Sequence, residues 1–118
     1  MLTIRIMLTI LLILTGVGLM GLAVIEMARH RTTVIPHRDP DRLVASGIFG
    51  LTRNPIYLGD ALVLTGCIFL FGSPVTLVLV PAFMIVIRQR FILPEEERLR
   101  AGFGAEFDAY AKRVRRWI

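Results

Sequence analysis

From Ile6 to Ile25 the chain carries no charged residue. A bilayer core takes about 20 apolar residues of helix, so such a run in a chain of 118 residues leaves little room for a soluble fold. Two more apolar stretches follow. One covers 56–72, with Asp60 near its start; the other covers 75–92, where Arg88 and Arg90 can snorkel to the surface. The hydrophobic fraction is 55% and the mean hydropathy +0.69, too apolar for an ordinary soluble domain. The expectation is an all-α integral membrane protein, one domain over 1–118, with about three transmembrane helices and a C-terminal amphipathic helix at the interface.

Charge sets the expected orientation. Of the 14 Lys and Arg residues only Arg5 precedes the first span; the rest lie between spans one and two or at and after the end of span three. Basic loops stay cytoplasmic, so the N-terminus is expected outside and the C-terminus inside, in a cytoplasmic membrane. A cleaved signal peptide is disfavoured, because the apolar run is longer than the 7–15 residues typical of such a core. The pI of about 10.7 is explained by topology and anionic headgroups, and no nucleic acid is expected. Cys67 is alone, which leaves no disulfide. His30 and His37 lack ligand spacing, and no metal is assigned to them.

Gly72-Ser73-Pro74 separates spans two and three. A hairpin turning there returns the chain to the surface it left, so Arg53-Asn54-Pro55-Ile56-Tyr57-Leu58-Gly59 would meet Pro94-Glu95-Glu96-Glu97 at one water–lipid boundary. Asn54 is a good N-cap, and Pro55 suits the first helical turn. In the connecting loop, 29–55, Pro36, Asp39, Pro40 and Asp41 exclude a long helix. Gly18 and Gly21 share a helix face that a neighbour can approach closely. Pro81 is expected to kink span three. In the tail, 95–117, Leu99, Phe103, Phe107, Tyr110, Val114 and Trp117 recur at helical steps. They form a stripe expected to lie on the membrane surface, with Trp117 as an anchor.

Taken singly, these residues carry bland readings. Arg53 serves as a positive anchor before a span, or as a fork for a carboxylate or phosphate. Tyr57 is an interfacial aromatic, or a face for a cationic group. Glu95, Glu96 and Glu97 make a favourable acidic first turn, or hold a cation. Asp60 reaches back to the interface, pairs with Arg88 or Arg90, or has a function. No Ser/His/Asp or Cys/His constellation, P-loop or GxGxxG is present.

Two ordered motifs resolve the choice by resemblance. Leu43-Val44-x-x-Gly47-x-Phe49-x-x-x-Arg53-Asn54-Pro55-x-Tyr57-x-Gly59 resembles the core motif of the isoprenylcysteine carboxyl methyltransferase and phospholipid methyltransferase superfamily. Pro94-Glu95-Glu96-x-x-Leu99-x-x-x-Phe103-Gly104-x-x-Phe107-x-x-Tyr110 resembles its second motif, and Val114-Arg115-Arg116-Trp117 the ending of bacterial members. The resemblance covers about residues 34–118. It implies an integral-membrane enzyme with S-adenosylmethionine as cofactor in a cytoplasm-facing pocket capped by the C-terminal segment. Glu95 and Glu96 would hold the cofactor's amino group. Leu43, Val44, Gly47 and Phe49 would approach the adenosine, and Arg53, Asn54, Pro55, Tyr57 and Gly59 would complete the pocket. Arg53 and Glu96 are the candidate catalytic residues.

The implied reaction is methyl transfer to a lipophilic acceptor, an isoprenoid carboxylate or a phospholipid-like molecule, entering from the bilayer. An amine or phenol acceptor would need a proton sink, for which Glu96 and Asp60 are candidates. Two departures stand out. Asn54 replaces the histidine of eukaryotic carboxyl methyltransferases, and one span precedes the motif where relatives usually have two or more. A homodimer would supply missing walls. Two other classes compete. A small multidrug-type transporter subunit would want four spans and a mid-membrane carboxylate. A non-catalytic adaptor would leave the Arg53–Tyr57 and Glu95–Glu96 pairing without purpose.

Overall fold

The structure, a computed structural model, describes residues 2–30 and 43–118. The readings of Pro36, His37, Asp39, Pro40 and Asp41 fall outside the described residues. Within them the chain is all helical: α1 (Leu2–Arg29), a 3-10 turn at Gly47–Gly50, α2 (Pro55–Phe71), a second 3-10 turn at Pro74–Val78, α3 (Leu79–Ile87), a π-helical turn at Arg88–Ile92, α4 (Leu93–Phe103) and α5 (Ala105–Arg113). Two stretches, Leu2–Arg29 and Pro74–Phe103, are long and apolar enough to cross a membrane, and Pro55–Phe71 is a shorter apolar helix. At 1.5 Å per residue α2 spans roughly 25 Å, somewhat less than a bilayer core of about 30 Å.

α1 and α2 pack antiparallel through glycine. A Cβ on Gly16 would stand 2.6 Å from the Gly59 carbonyl oxygen, and one on Gly59 would stand 2.5 Å from the Gly16 carbonyl oxygen. Farther along, a Cβ on Gly66 would stand 2.9 Å from an Ile13 side-chain carbon and 3.2 Å from the Thr9 carbonyl oxygen. Small residues allow this approach where lipid supplies no hydrophobic drive between helices. Gly18 and Gly21, which share another face, take no part in this contact, and the space beside both is open. At the far end Arg5 Nε donates to the Phe69 carbonyl at 2.9 Å, and Arg5 Nη2 to the Gly72 carbonyl at 3.3 Å. These bonds satisfy carbonyls that the end of α2 leaves open.

The third apolar stretch is irregular, but not at Pro81. That residue lies in the first turn of α3, where a missing N–H costs nothing. The irregularity is the π turn, in which the Leu93 N–H bonds to the Arg88 carbonyl. Pro94 supplies the cause. Its ring cannot donate and crowds the carbonyl four residues back, and a wider turn relieves both.

The tail is two helices rather than one. Gly104 sits at φ +54 between α4 and α5, in the left-handed region that favours glycine. Arg100 braces the bend through Asp108 at 3.1 Å, with its guanidinium 5.3 Å above the Phe107 ring. The apolar stripe turns inward instead of resting wholly on lipid. Phe107, Tyr110 and Val114 are buried together, and Leu43, Ala45, Leu99, Phe103 and Ala111 pack against them. The tail therefore docks on the segment that precedes Arg53.

Candidate functional site

Three chain segments converge beside the start of α2. The first is 43–57, the second is the first turn of α4, and the third is the end of the chain. Pro55 opens α2, buried, in the first-turn position its chemistry suits. Asn54 stands just before it, yet its side chain makes no cap bond. The Asn54 Nδ2 group donates instead to the Arg116 carbonyl at 2.8 Å. Thr52, almost wholly buried, accepts the Asn54 N–H at 3.2 Å and donates to the same Arg116 carbonyl at 3.3 Å. The Arg53 N–H bonds to the Arg115 carbonyl at 2.9 Å. The last residues thus lie as a strap across 52–54.

Beneath the strap is an ionic cluster. Glu96 is buried on α4. Arg116 reaches it with two bonds, Nε to Oε2 at 2.8 Å and Nη2 to Oε1 at 3.0 Å. Arg53 Nη1 lies 3.5 Å from the same Oε2. The fork on Glu96 holds the Arg116 guanidinium pKa above its ordinary value. Arg53 Nε is buried with no hydrogen-bond partner among the described residues. An orphaned donor of this kind is costly, and an anionic group is what it would donate to.

Beside the cluster Tyr57 donates to Glu95 Oε1 at 2.6 Å. The Tyr57 ring is tilted 33° to that of Phe91, with centroids 6.2 Å apart. Aromatic faces next to a carboxylate suit a cationic group. Phe91 stands in the π turn, so the turn that Pro94 enforces also sets its place relative to Tyr57.

The other expected residues of the loop lie between positions 43 and 49. Val44 is buried and Leu43 packs on the tail cluster. Gly47 begins the 3-10 turn at φ +59. The Phe49 carbonyl accepts the Tyr110 hydroxyl at 2.7 Å. Burial pushes the Tyr110 phenol up to about 12. Gly59 stands apart from the others, because its open side is filled by Gly16 of α1. Arg53, Glu95, Glu96 and Tyr57 do come together as expected.

Sequence reasoning missed two residues. Arg116 was visible only within the Val114–Trp117 ending, with nothing to single it out from Arg115. Glu26, only 7% exposed, is the one acid of α1; a lone acid at the end of an apolar run was the available signal.

The model of the phospholipid methyltransferase family matches residues 4–106. Two rice proteins, from Oryza sativa subsp. indica and subsp. japonica, are each named a probable protein-S-isoprenylcysteine O-methyltransferase. Each is 31% identical over 110 residues, covering 89% of this chain and 56% of the relative. The chain therefore spans about half the length of the curated relatives it matches. No solved structure matches it.

Proposed function

The chain belongs to the phospholipid methyltransferase family, and from that premise we propose that it transfers the methyl group of S-adenosylmethionine to a lipophilic acceptor at the cytoplasmic face of a membrane. The observation that carries this reading is the convergence of Arg53, Tyr57, Glu95 and Glu96 under the 115–116 strap.

The donor set suits the cofactor. S-adenosylmethionine bears a carboxylate, an ammonium and a sulfonium. The unpartnered Arg53 Nε supports recognition of an anionic group. Glu95, beside Tyr57, supports recognition of the ammonium, and the tilted Tyr57 and Phe91 rings a cationic face. The backbone from Val44 to Phe49, held at Phe49 by the Tyr110 hydroxyl, is the segment we assign to the adenosine. When bound, the cofactor supplies a methyl group whose bond to sulfur breaks as its bond to the acceptor forms, leaving sulfur as a neutral thioether.

The protein's own work is alignment and exclusion of water. Arg116 neutralises Glu96 and ties the strap over the site. Arg53, fixed through its main chain to Arg115, holds its guanidinium against the same carboxylate. A carboxylate acceptor needs no base. An amine or hydroxyl acceptor would lose a proton; Glu96, already neutralised by Arg116, is a poor base for it, and Asp60 of α2 is the remaining candidate.

The test is transfer of radiolabelled methyl from S-adenosylmethionine into membrane lipid extract, and separately into a prenylated cysteine analogue, by the detergent-purified protein. Label released as methanol by alkali marks a methyl ester; label that survives marks an N-methyl group or an O-methyl ether. No transfer into either acceptor, from protein that binds the cofactor, would count against a lipophilic acceptor.

A further inference from the structure

Glu26 is a buried carboxylate in the last turn of α1. It accepts a hydrogen bond from the Ser46 hydroxyl. Arg29 Nη1 lies 3.3 Å from its Oε1, and His30 Nδ1 lies 4.0 Å from its Oε2. A charge set at the end of an apolar helix is costly unless paired and hydrogen-bonded, and a helix serving only as an anchor has no use for one here.

The carboxylate lies against the one left-handed residue of the candidate pocket. A Cβ on Gly47 would stand 2.7 Å from Glu26 Cδ and 2.9 Å from Cγ. Gly47 starts the 3-10 turn, and the other end of that turn is held by the Tyr110 bond to the Phe49 carbonyl. The Ile48 carbonyl takes the N–H groups of Leu51 and Thr52, and the next residue is Arg53, tied to Arg115. A run of fixed points therefore leads from Glu26 to the ionic cluster. It joins α1, the part of the chain outside both sequence motifs, to the site.

We propose that Glu26 is a positioning residue for the S-adenosylmethionine pocket: through Ser46 and Gly47 it fixes the path of residues 46–50. This rests on the reading of the site given above. Glu26 acts on the cofactor only through the turn it holds.

The experiment is calorimetric titration of the detergent-purified full chain with S-adenosylmethionine, for wild type, Glu26→Ala, Glu26→Gln, Ser46→Ala, the Glu26→Ala/Ser46→Ala double variant and Arg5→Ala. Glu26→Ala should weaken binding about tenfold, equal to one lost charge-assisted hydrogen bond. Glu26→Gln, whose amide oxygen still accepts from Ser46, should restore most of that loss. The double variant should bind no worse than Glu26→Ala, because both changes cut one connection. Arg5→Ala breaks bonds at the opposite end of the hairpin, so it should lower the thermal midpoint and leave affinity unchanged. If Glu26→Ala does not fold, Glu26→Gln and Ser46→Ala carry the comparison: affinity close to wild type for the first and reduced for the second supports the proposal. Wild-type affinity in every Glu26 and Ser46 variant overturns it while leaving the cofactor reading intact. Folded wild type that binds no S-adenosylmethionine overturns both.

Discussion

Arg53 and Arg116 converge on one carboxylate oxygen, Glu96 Oε2, at 3.5 and 2.8 Å. One comes from the turn before α2 and the other from the end of the chain, so Glu96 is where the strap, the helix hairpin and the motif around Arg53 are joined. Removing Glu96 leaves two guanidinium groups facing each other. Glu96→Ala should therefore lower stability by about 2–3 kcal/mol, the worth of hydrogen bonds to a charged group. Chemical denaturation in mild detergent would measure it, and Glu96→Gln should lose less.

Arg116→Ala removes the bidentate half of that cluster but leaves the main-chain bonds from residues 115 and 116 to 52–54. The strap should loosen without the fold being lost. Proteolysis should then cut after Arg113 or Arg115 several times faster than in wild type, in line with weakening of a charge-assisted pair by ~1–2 kcal/mol. Equal cleavage rates would mean that the side chain does not hold the strap.

The helix contact offers a sharp contrast among glycines. Gly16→Ala must push the Gly59 carbonyl away from 2.6 Å, and overpacking of this kind costs roughly 1–3 kcal/mol. Gly18→Ala meets open space and gains helix propensity of about 1 kcal/mol. Thermal unfolding should show Gly16→Ala melting lower than wild type and Gly18→Ala melting no lower.

Tyr110 gives a pH signature. The chain has two tyrosines, so in Tyr57→Phe the remaining phenol is Tyr110. Its absorbance titration should have a midpoint near 12 rather than the ordinary 10.0. Because the pKa is raised in the folded state, its contribution to stability is full below about pH 10 and is lost as pH rises through about 12. A midpoint near 10 in the folded variant would show that the phenol is not buried against the Phe49 carbonyl.

Much of this was legible in the sequence, for identifiable reasons. A hairpin of two apolar helices must return to the face it left, so Arg53 and Tyr57 had to approach Glu95 and Glu96. Pro55 was readable because a first-turn proline loses nothing. Other features depend on tertiary partners. Gly18 and Gly21 share a face as well as Gly16 does, and only the position of Gly59 selects Gly16. The amphipathic stripe of the tail was correctly periodic, but periodicity does not say whether lipid or residues 43–45 cover it. Pro81 and Pro94 look alike as helix interruptions, and both fall in a first turn; they differ in what precedes them, a 3-10 turn before Pro81 and the π turn before Pro94. Arg116 and Glu26 escaped because each acquires its meaning from a partner distant in the chain.

The central claim is that segment 43–57, the first turn of α4 and the C-terminal strap make one S-adenosylmethionine site. The most direct measurement is calorimetric titration of the purified wild-type protein with S-adenosylmethionine beside Arg53→Ala, with folding of both followed by circular dichroism. The account predicts saturable binding, on the order of micromolar, that falls at least tenfold in Arg53→Ala while helicity is kept. Folded wild type that takes up no cofactor, or an Arg53→Ala variant that binds as tightly as wild type, would contradict it.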